Sequence, residues 1–232
     1  MQLAARTGAW TKSGGVPTAK DYIQDGLIAM WDGIENAGWG SRAESSDSWT
    51  ELITSKKCRK REGDDVEVLD DGFRFIYGGF YTGISYDNIV TIEAVLKIDN
   101  EQNSGPLLCS LRSGIQLVLV KNSDGVQYVP LTYTEGSNKK AVVTVGEKFA
   151  ISIRREIGFT NGIDSTVVDN TVGGWGFNYS SGTIAYYPPT NFVDTFKNFV
   201  GDIHSLRCYS RELTYDEITA NYAIDKERFG IA

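Results

Sequence analysis

The clearest pattern in the chain lies between Val90 and Ile98, where Ile92, Ala94, Leu96 and Ile98 alternate with Thr91, Glu93 and Lys97. Alternation of period two places successive side chains on opposite faces of a strand. Val95 interrupts the polar face, which predicts that this strand is covered on both sides. A second signal is the apolar run Leu27-Ile28-Ala29-Met30-Trp31, stopped by Asp32-Gly33, with the length and breakers of a buried strand. Shorter strand signals follow at Val66 to Leu69, Phe73 to Ile76, Leu107 to Leu111, Ile115 to Val120, Val126 to Leu131, Ala141 to Val145, Phe149 to Arg154 and around Val167-Val168. Asn161-Gly162, between Ile157-Gly158-Phe159 and Ile163, is the residue pair that best tolerates a tight hairpin turn.

One helix is expected, at the C-terminal end. Thr214-Tyr215-Asp216-Glu217 has the form of a capping box, Ile218 and Tyr222 share a face, and Arg228 suits the negative end of the helix dipole. Many short strands without intervening helical periods predict an all-β sandwich closed by a short helix over about residues 214–228. Residues 1–22, rich in small residues and holding Ser13-Gly14-Gly15-Val16-Pro17, read as an extended N-terminal arm ahead of one domain over residues 23–232. A length of 232 residues suits a single large β-domain.

Twelve Tyr, ten Phe and five Trp suit strands and binding platforms, and 25 Gly against five Pro imply turns built on glycine. A net charge of −7 argues against nucleic-acid binding through the phosphate backbone, which needs a concentrated basic surface. The basic cluster Lys56-Lys57-Cys58-Arg59-Lys60-Arg61 is followed at once by Glu62, Asp64 and Asp65, and reads as a solvated loop. No signal-peptide core and no membrane-length apolar run is visible, so synthesis in the cytosol and release by lysis are expected. Cys58, Cys109 and Cys208 are odd in number and widely spaced, which predicts reduced structural thiols. His204 is the only histidine and reads as a packed strand residue; on a regular strand it and Cys208 would lie about 13 Å apart on one face, too far for a nucleophile pair.

Several stretches resemble laminin-G-like domains of the concanavalin A-like lectin and glucanase superfamily. Gly26 to Gly33 resembles their opening strand, Trp49-Thr50-Glu51-Leu52 the Trp-x-Asp-Leu stretch that follows, and Val90 to Lys97 their central strand. Glu147 to Ile153 with Asn161-Gly162 is similar to their strand and hairpin, and Gly201-Asp202-Ile203 through Leu206-Arg207-Cys208-Tyr209-Ser210-Arg211-Glu212-Leu213-Thr214 to Glu217-Ile218 to their closing motif. The resemblance implies a concanavalin A-like jelly roll. It also brings a calcium question, because Asp32 and Glu35 stand in the first loop. His204-Ser205 replaces the family's Asp-Glu and removes two oxygen ligands, so no cofactor is expected and calcium remains the alternative. The stretch from Ala4 through Asp25-Gly26 to Gly38 is also similar to proteins of tailed phages and of integrated elements in gut bacteria.

Superfamily glucanases use the motif E-x-D-x-x-E, which Glu62-Gly63-Asp64-Asp65-Val66-Glu67 fits literally. Its polar spacers beside a basic stretch read as a turn entering a strand, so no catalysis is expected. For binding, sugars need flat aromatic faces with polar surroundings. The candidates are Trp175, Phe177 and Tyr179 in a glycine-flanked loop, Tyr186 and Tyr187 close behind, and Trp39 between Gly38 and Gly40, with packing or subunit contact as the alternative for all six. The leading expectation is a non-catalytic carbohydrate- or surface-binding module of a phage tail or capsid, whose partners are a glycan or bacterial surface polysaccharide, other virion proteins through the arm, and further copies of itself. A structural virion protein of the same fold is the second reading, and a glycoside hydrolase the third.

Overall fold

The computed structural model describes residues 15–83, 86–98, 104–109, 116–121, 126–128, 140–142, 146–154, 157–160, 163–164, 177–179, 183–185 and 199–232. In chain order the strands are β1 (Leu27–Asp32), β2 (Ser48–Thr50), β3 (Lys57–Lys60), β4 (Asp65–Leu69), β5 (Gly72–Tyr77), β6 (Phe80–Tyr81), β7 (Tyr86–Ile89), β8 (Thr91–Ile98) and β9 (Ser104–Cys109). They continue as β10 (Gln116–Lys121), β11 (Val126–Tyr128), β12 (Lys140–Val142), β13 (Lys148–Arg154), β14 (Ile157–Thr160), β15 (Ile163–Asp164), β16 (Phe177–Tyr179), β17 (Thr183–Ile184) and β18 (Gly201–Tyr209). The helix α1 follows, over Tyr215–Phe229.

The first sheet runs β15-β14-β13-β8-β18-β5-β4, with β1 also on β18, and the second runs β12-β11-β10-β9-β17-β6-β3-β2. A short pair joins β16 to β7. The main core lies between the two large sheets: Ile92, Ala94, Leu96 and Ile98 of β8 and Ile203, Leu206 and Cys208 of β18 share it with Trp49, Cys58, Phe80 and Ile184 of the second sheet. Its aromatic centre is close-set, with Trp49 and Phe73 at 4.7 Å and Phe73 edge-on to Phe80 at 5.3 Å. Val95 points the other way and is buried against Ala150, Phe229 and Ile231, so β8 is covered on both faces as its sequence predicts. Where strands are expected at Val167-Val168 and a turn at Asn161-Gly162, the positions lie outside the described residues, although β14 and β15 pair across 161–162 with Thr160 opposite Ile163.

β18 is the hub of the first sheet. It pairs along its length with β8, and on its other side with β5 through Gly201 to Ile203 and with β1 through Ser205 to Tyr209. Ile203 opposes Leu96 but Ser205 opposes Val95, so His204 is the extra residue of a β-bulge. The bulge reverses the in-out parity of the strand. Cys208 therefore faces the main core while His204 packs near Phe229, 5.9 Å between ring centroids, and the common face expected for these two residues does not exist. Cys58 and Cys208 are buried free thiols, and the Trp31 indole donates to the Cys58 sulfur at 3.0 Å. Burial pushes the Cys58 thiol up to about 12, so it stays protonated and unreactive at neutral pH.

Both ends of the described body close on the outer face of the first sheet. Thr18 caps a single 3-10 turn, Ala19–Asp21, through a capping box, and Ala19 and Tyr22, from the stretch expected as an arm, are buried beside Met30, Leu52 and Ile224. In α1 the Thr214 hydroxyl accepts from the Glu217 amide, the capping box read from the sequence, and Gly230 ends the helix at φ +66°. The buried face of α1 is unusual in carrying Asn221, Asp225 and Arg228 with Ile218, Ile224 and Phe229.

The turn after β1 is pressed against the turn between β4 and β5. The Gly33 amide donates to the His204 carbonyl at 2.8 Å, and a Cβ at Gly33 would sit 2.4 Å from the Asp71 carbonyl oxygen. Backbone cannot yield as a side-chain tip can. Gly33→Ala is therefore expected to destabilise the domain by about 1–3 kcal/mol, measured by urea denaturation.

Candidate functional site

The polar positions of β8 and β18 that face away from the main core meet the polar stripe of α1. Arg207, fully buried, donates from Nη1 and Nη2 to the two carboxylate oxygens of Asp225, both at 2.7 Å, and from Nε to Glu93 Oε2 at 3.2 Å. Its Nη1 also reaches the Ser205 hydroxyl at 3.1 Å. Asn221 donates to Glu93 Oε2 at 2.7 Å and accepts from the Ile23 amide at 3.0 Å. The Tyr22 hydroxyl donates to Asp225 at 2.7 Å, and its ring lies 4.0 Å from the Arg207 guanidinium carbon. Arg228 extends the cluster, with Nη2 at 2.9 Å from Asp32 Oδ1 and 3.3 Å from Glu35 Oε1.

Two guanidiniums thus face four carboxylates with almost no solvent. Burial pushes the Glu93 carboxyl up to about 6; Arg207 and Asn221 oppose the shift, and Asp225 adds to it. Burial likewise raises Asp32, against the pull of Arg228. The cavity lined by Glu93, Ser152, Ile218, Tyr222 and Asp225 has about 10 Å³, room for a water molecule and not for a sugar. The cluster therefore acts as a latch holding helix and first turn to the sheet. Sequence reasoning did not single it out, although Glu93 and Arg207 at core-strand positions and Asn221, Asp225 and Arg228 at helical spacing are its written signature.

The first loop does not fit a calcium ion. Asp32 Oδ1 accepts from the Ile34 and Glu35 amides at 3.0 and 2.8 Å, and both its oxygens face Arg228. Glu35 accepts from the Ala19 amide at 2.7 Å and the Gly40 amide at 2.6 Å, and Asn36 clasps Ala43 through both its amide oxygen and nitrogen. These oxygens already serve a buried cation and the turn. Among the described residues no group of three His, Cys, Asp or Glu is placed to hold a metal.

The His204 ring nitrogen Nδ1 lies 3.0 Å from Asp71 Oδ1, and Lys148 also pairs with Asp71. Although burial would raise Asp71, hydrogen bonding and charge from His204 and Lys148 prevail and bring it down to about 2.

The glycine-flanked aromatics are placed unevenly. Trp39 is partly buried against the cluster of Ala19, Tyr22, Met30, Leu52 and Ile224, and Lys20 Nζ stands 5.7 Å from its ring centroid. It serves packing more than display. Phe177 and Tyr179 lie in β16, opposite Ile89 and Tyr86 of β7. Trp175, Tyr186 and Tyr187 lie outside the described residues.

The basic stretch is a strand and not the loop its charge suggested. In β3 Cys58 points into the core while Lys57 and Arg59 are exposed, the period-two pattern concealed by five basic residues in six. Arg59 stands opposite Tyr81 of β6 and Ser48 of β2, and the Arg61 guanidinium carbon lies 5.0 Å from the Tyr81 ring centroid. Downstream, Glu62 and Glu67 are exposed, whereas Asp64 is buried and accepts from the Arg61 amide at 3.1 Å, closing the turn into β4.

No family model matches the chain, and no curated protein matches it in sequence. Solved structures do. Trypanosoma rangeli sialidase in complex with sialic acid superposes with a TM-score of 0.61 at 15% identity, over 91% of this chain and 34% of the sialidase. The same sialidase with 2,3-difluoro-KDN gives 0.61 at 16% identity, over 96% and 36%. The chain spans about a third of the length of that enzyme, and at this identity the likeness shows the fold: a concanavalin A-like jelly-roll β-sandwich with one short C-terminal helix. Among the described residues no helix is long and apolar enough to cross a membrane.

Two outcomes test the latch. Arg207→Ala strands Glu93 and Asp225 without their shared cation and is expected to cost about 3–5 kcal/mol in chemical denaturation. Glu93 holds its proton more tightly in the folded chain than at its ordinary 4.5, so the stability linked to it is complete below pH 4.5 and falls as pH rises through about 6. Relative to Glu93→Gln, the wild type should lose about 2 kcal/mol between pH 4.5 and pH 7 in urea titrations.

Proposed function

We propose that the chain is a non-catalytic carbohydrate- or surface-binding module of the laminin-G-like type, carried on a phage particle and tied to it through its N-terminal segment. The observation that carries this reading is the asymmetry of the sandwich. One broad face is closed by α1 and the first turn over a buried ion cluster, whereas the outer face of the second sheet offers Lys57, Arg59 and the partly exposed Tyr81. A surface with cations and an aromatic suits retention of a chain-like ligand. The sialidase that shares the fold is a sialic-acid complex, which supports the reading by analogy of fold. The non-catalytic half rests on the carboxylates: those of the latch are buried and paired, and Glu62 and Glu67 stand on an open turn and edge strand.

A second reading, a structural particle protein of the same fold, is favoured by Ile76 and Tyr77 at the end of β5, which are 43% and 59% exposed. Apolar side chains there suit a contact with another copy or a neighbour.

Immobilised glycans and bacterial polysaccharides, with and without chelator, separate the two. The expected result is selective retention that survives chelator and is weakened in Tyr81→Ala, whose ring lies beside Arg59 on that face, together with recovery of the protein in purified particles by mass spectrometry. No retention across the panel, with self-association by mass photometry, would replace the binding module with the structural protein.

A further inference from the structure

We infer that one water molecule is built into the latch beneath α1, held between Ser152, Glu93 and Asp225, where it donates to both carboxylates and accepts from the hydroxyl. The register of β13 on β8 sets Ser152 directly opposite Glu93, so both side chains project from the outer face of the first sheet. Asp225 reaches the same spot from α1, and the three polar groups line a cavity of about 10 Å³ that Ala150, Ile151 and Ile218 help to wall. That is about the volume of one water-sized sphere, the least that admits a water molecule.

Each polar group around the cavity has bonding capacity left over. Ser152 is only 5% exposed, and its hydroxyl has no hydrogen-bond partner among the described residues. A buried hydroxyl gives up its hydration without return unless something meets it. The donors that Arg207 and Asn221 bring to Glu93 both end on Oε2, which leaves Oε1 for a further donor. On Asp225, Oδ1 accepts from Tyr22 and Arg207, whereas Oδ2 accepts from Arg207 Nη2 and keeps a lone pair. Two acceptors and a hydroxyl free to donate are the complement of a water molecule, and about three bonds is the usual number for a buried one.

Charge favours the same occupant. Arg207 serves both carboxylates, and Asp225 opposes ionisation of Glu93 across the cavity. A molecule that donates to each of two like charges eases that opposition, and water does so without bringing a charge of its own into the site. A calcium or magnesium ion would require about six oxygen ligands or more, beyond what these three side chains supply.

The full chain is tested at neutral pH. A high-resolution crystal structure should show one water about 2.6–3.2 Å from Ser152 Oγ and from an oxygen of each carboxylate. Magnetic relaxation dispersion of water oxygen should count one fewer long-lived water in Ser152→Val, whose added methyl groups take the cavity, than in the wild type. Stability supplies a sign. Removing a hydroxyl that meets nothing would stabilise the fold, whereas removing one that holds a water should raise the unfolding constant, about fivefold for Ser152→Ala in urea titrations. Ser152→Val, which also strips the water from both carboxylates, should raise it about tenfold or more. Circular dichroism checks that each variant is folded. A dry cavity with the Ser152 hydroxyl turned directly onto Glu93, a metal ion in place of the water, an unchanged count of long-lived waters in folded Ser152→Val, or a Ser152→Ala chain more stable than the wild type overturns the proposal.

Discussion

A guanidinium cannot be taken out of water unless its five N–H groups are met and its charge is balanced, and the burial of Arg207 imposes that requirement on the whole outer face of the first sheet. Asp225 must come from α1, Glu93 from β8 and Ser205 from β18 itself. Tyr22 then completes Asp225, and Asn221 links Glu93 to the backbone of Ile23. Helix, first turn and sheet are placed relative to one another by directional bonds and not only by apolar contact. Hydrophobic burial drives the collapse of the main core, but it would accept many rotations of the helix over the sheet; the ion cluster accepts one.

This division of labour leaves the two outer faces of the sandwich different. A sandwich has two outer faces, and a face closed over paired charges with a water-sized cavity has no room for recognition. On the second sheet, Lys57 and Arg59 of β3 are exposed. The fold therefore separates the face that secures the C-terminal end from the face that meets the surroundings.

Much of the fold is legible in the sequence because burial on one or both faces enforces a period. β8 shows it most plainly: Ile92 to Ile98 give the core face, and Val95 alone announces the helix-side cover. The capping box at Thr214 is equally local and equally visible. Three features were hidden. The bulge at His204 shifts parity without any residue that marks it, so the strand read as regular. In β3 the charge of the flanking residues outweighed a single inward cysteine, and a strand looked like a loop. The latch escaped notice because its members are scattered from Tyr22 to Arg228, and only the tertiary fold brings them within hydrogen-bond reach. Of the aromatic candidates, Trp39 illustrates how glycine neighbours suggest display while the ring itself finds a satellite core.

The place of β18 in the first sheet bears on how the domain is made. Its partners β1, β5 and β8 are all synthesised long before it, yet none of them can complete its pairing until Gly201 to Tyr209 has emerged. Strands waiting for a distant central partner expose apolar edges, and contacts of such sequence separation close slowly. The first sheet must therefore stay open along β1, β5 and β8 until Gly201 to Tyr209 has been made, after which that one strand joins all three.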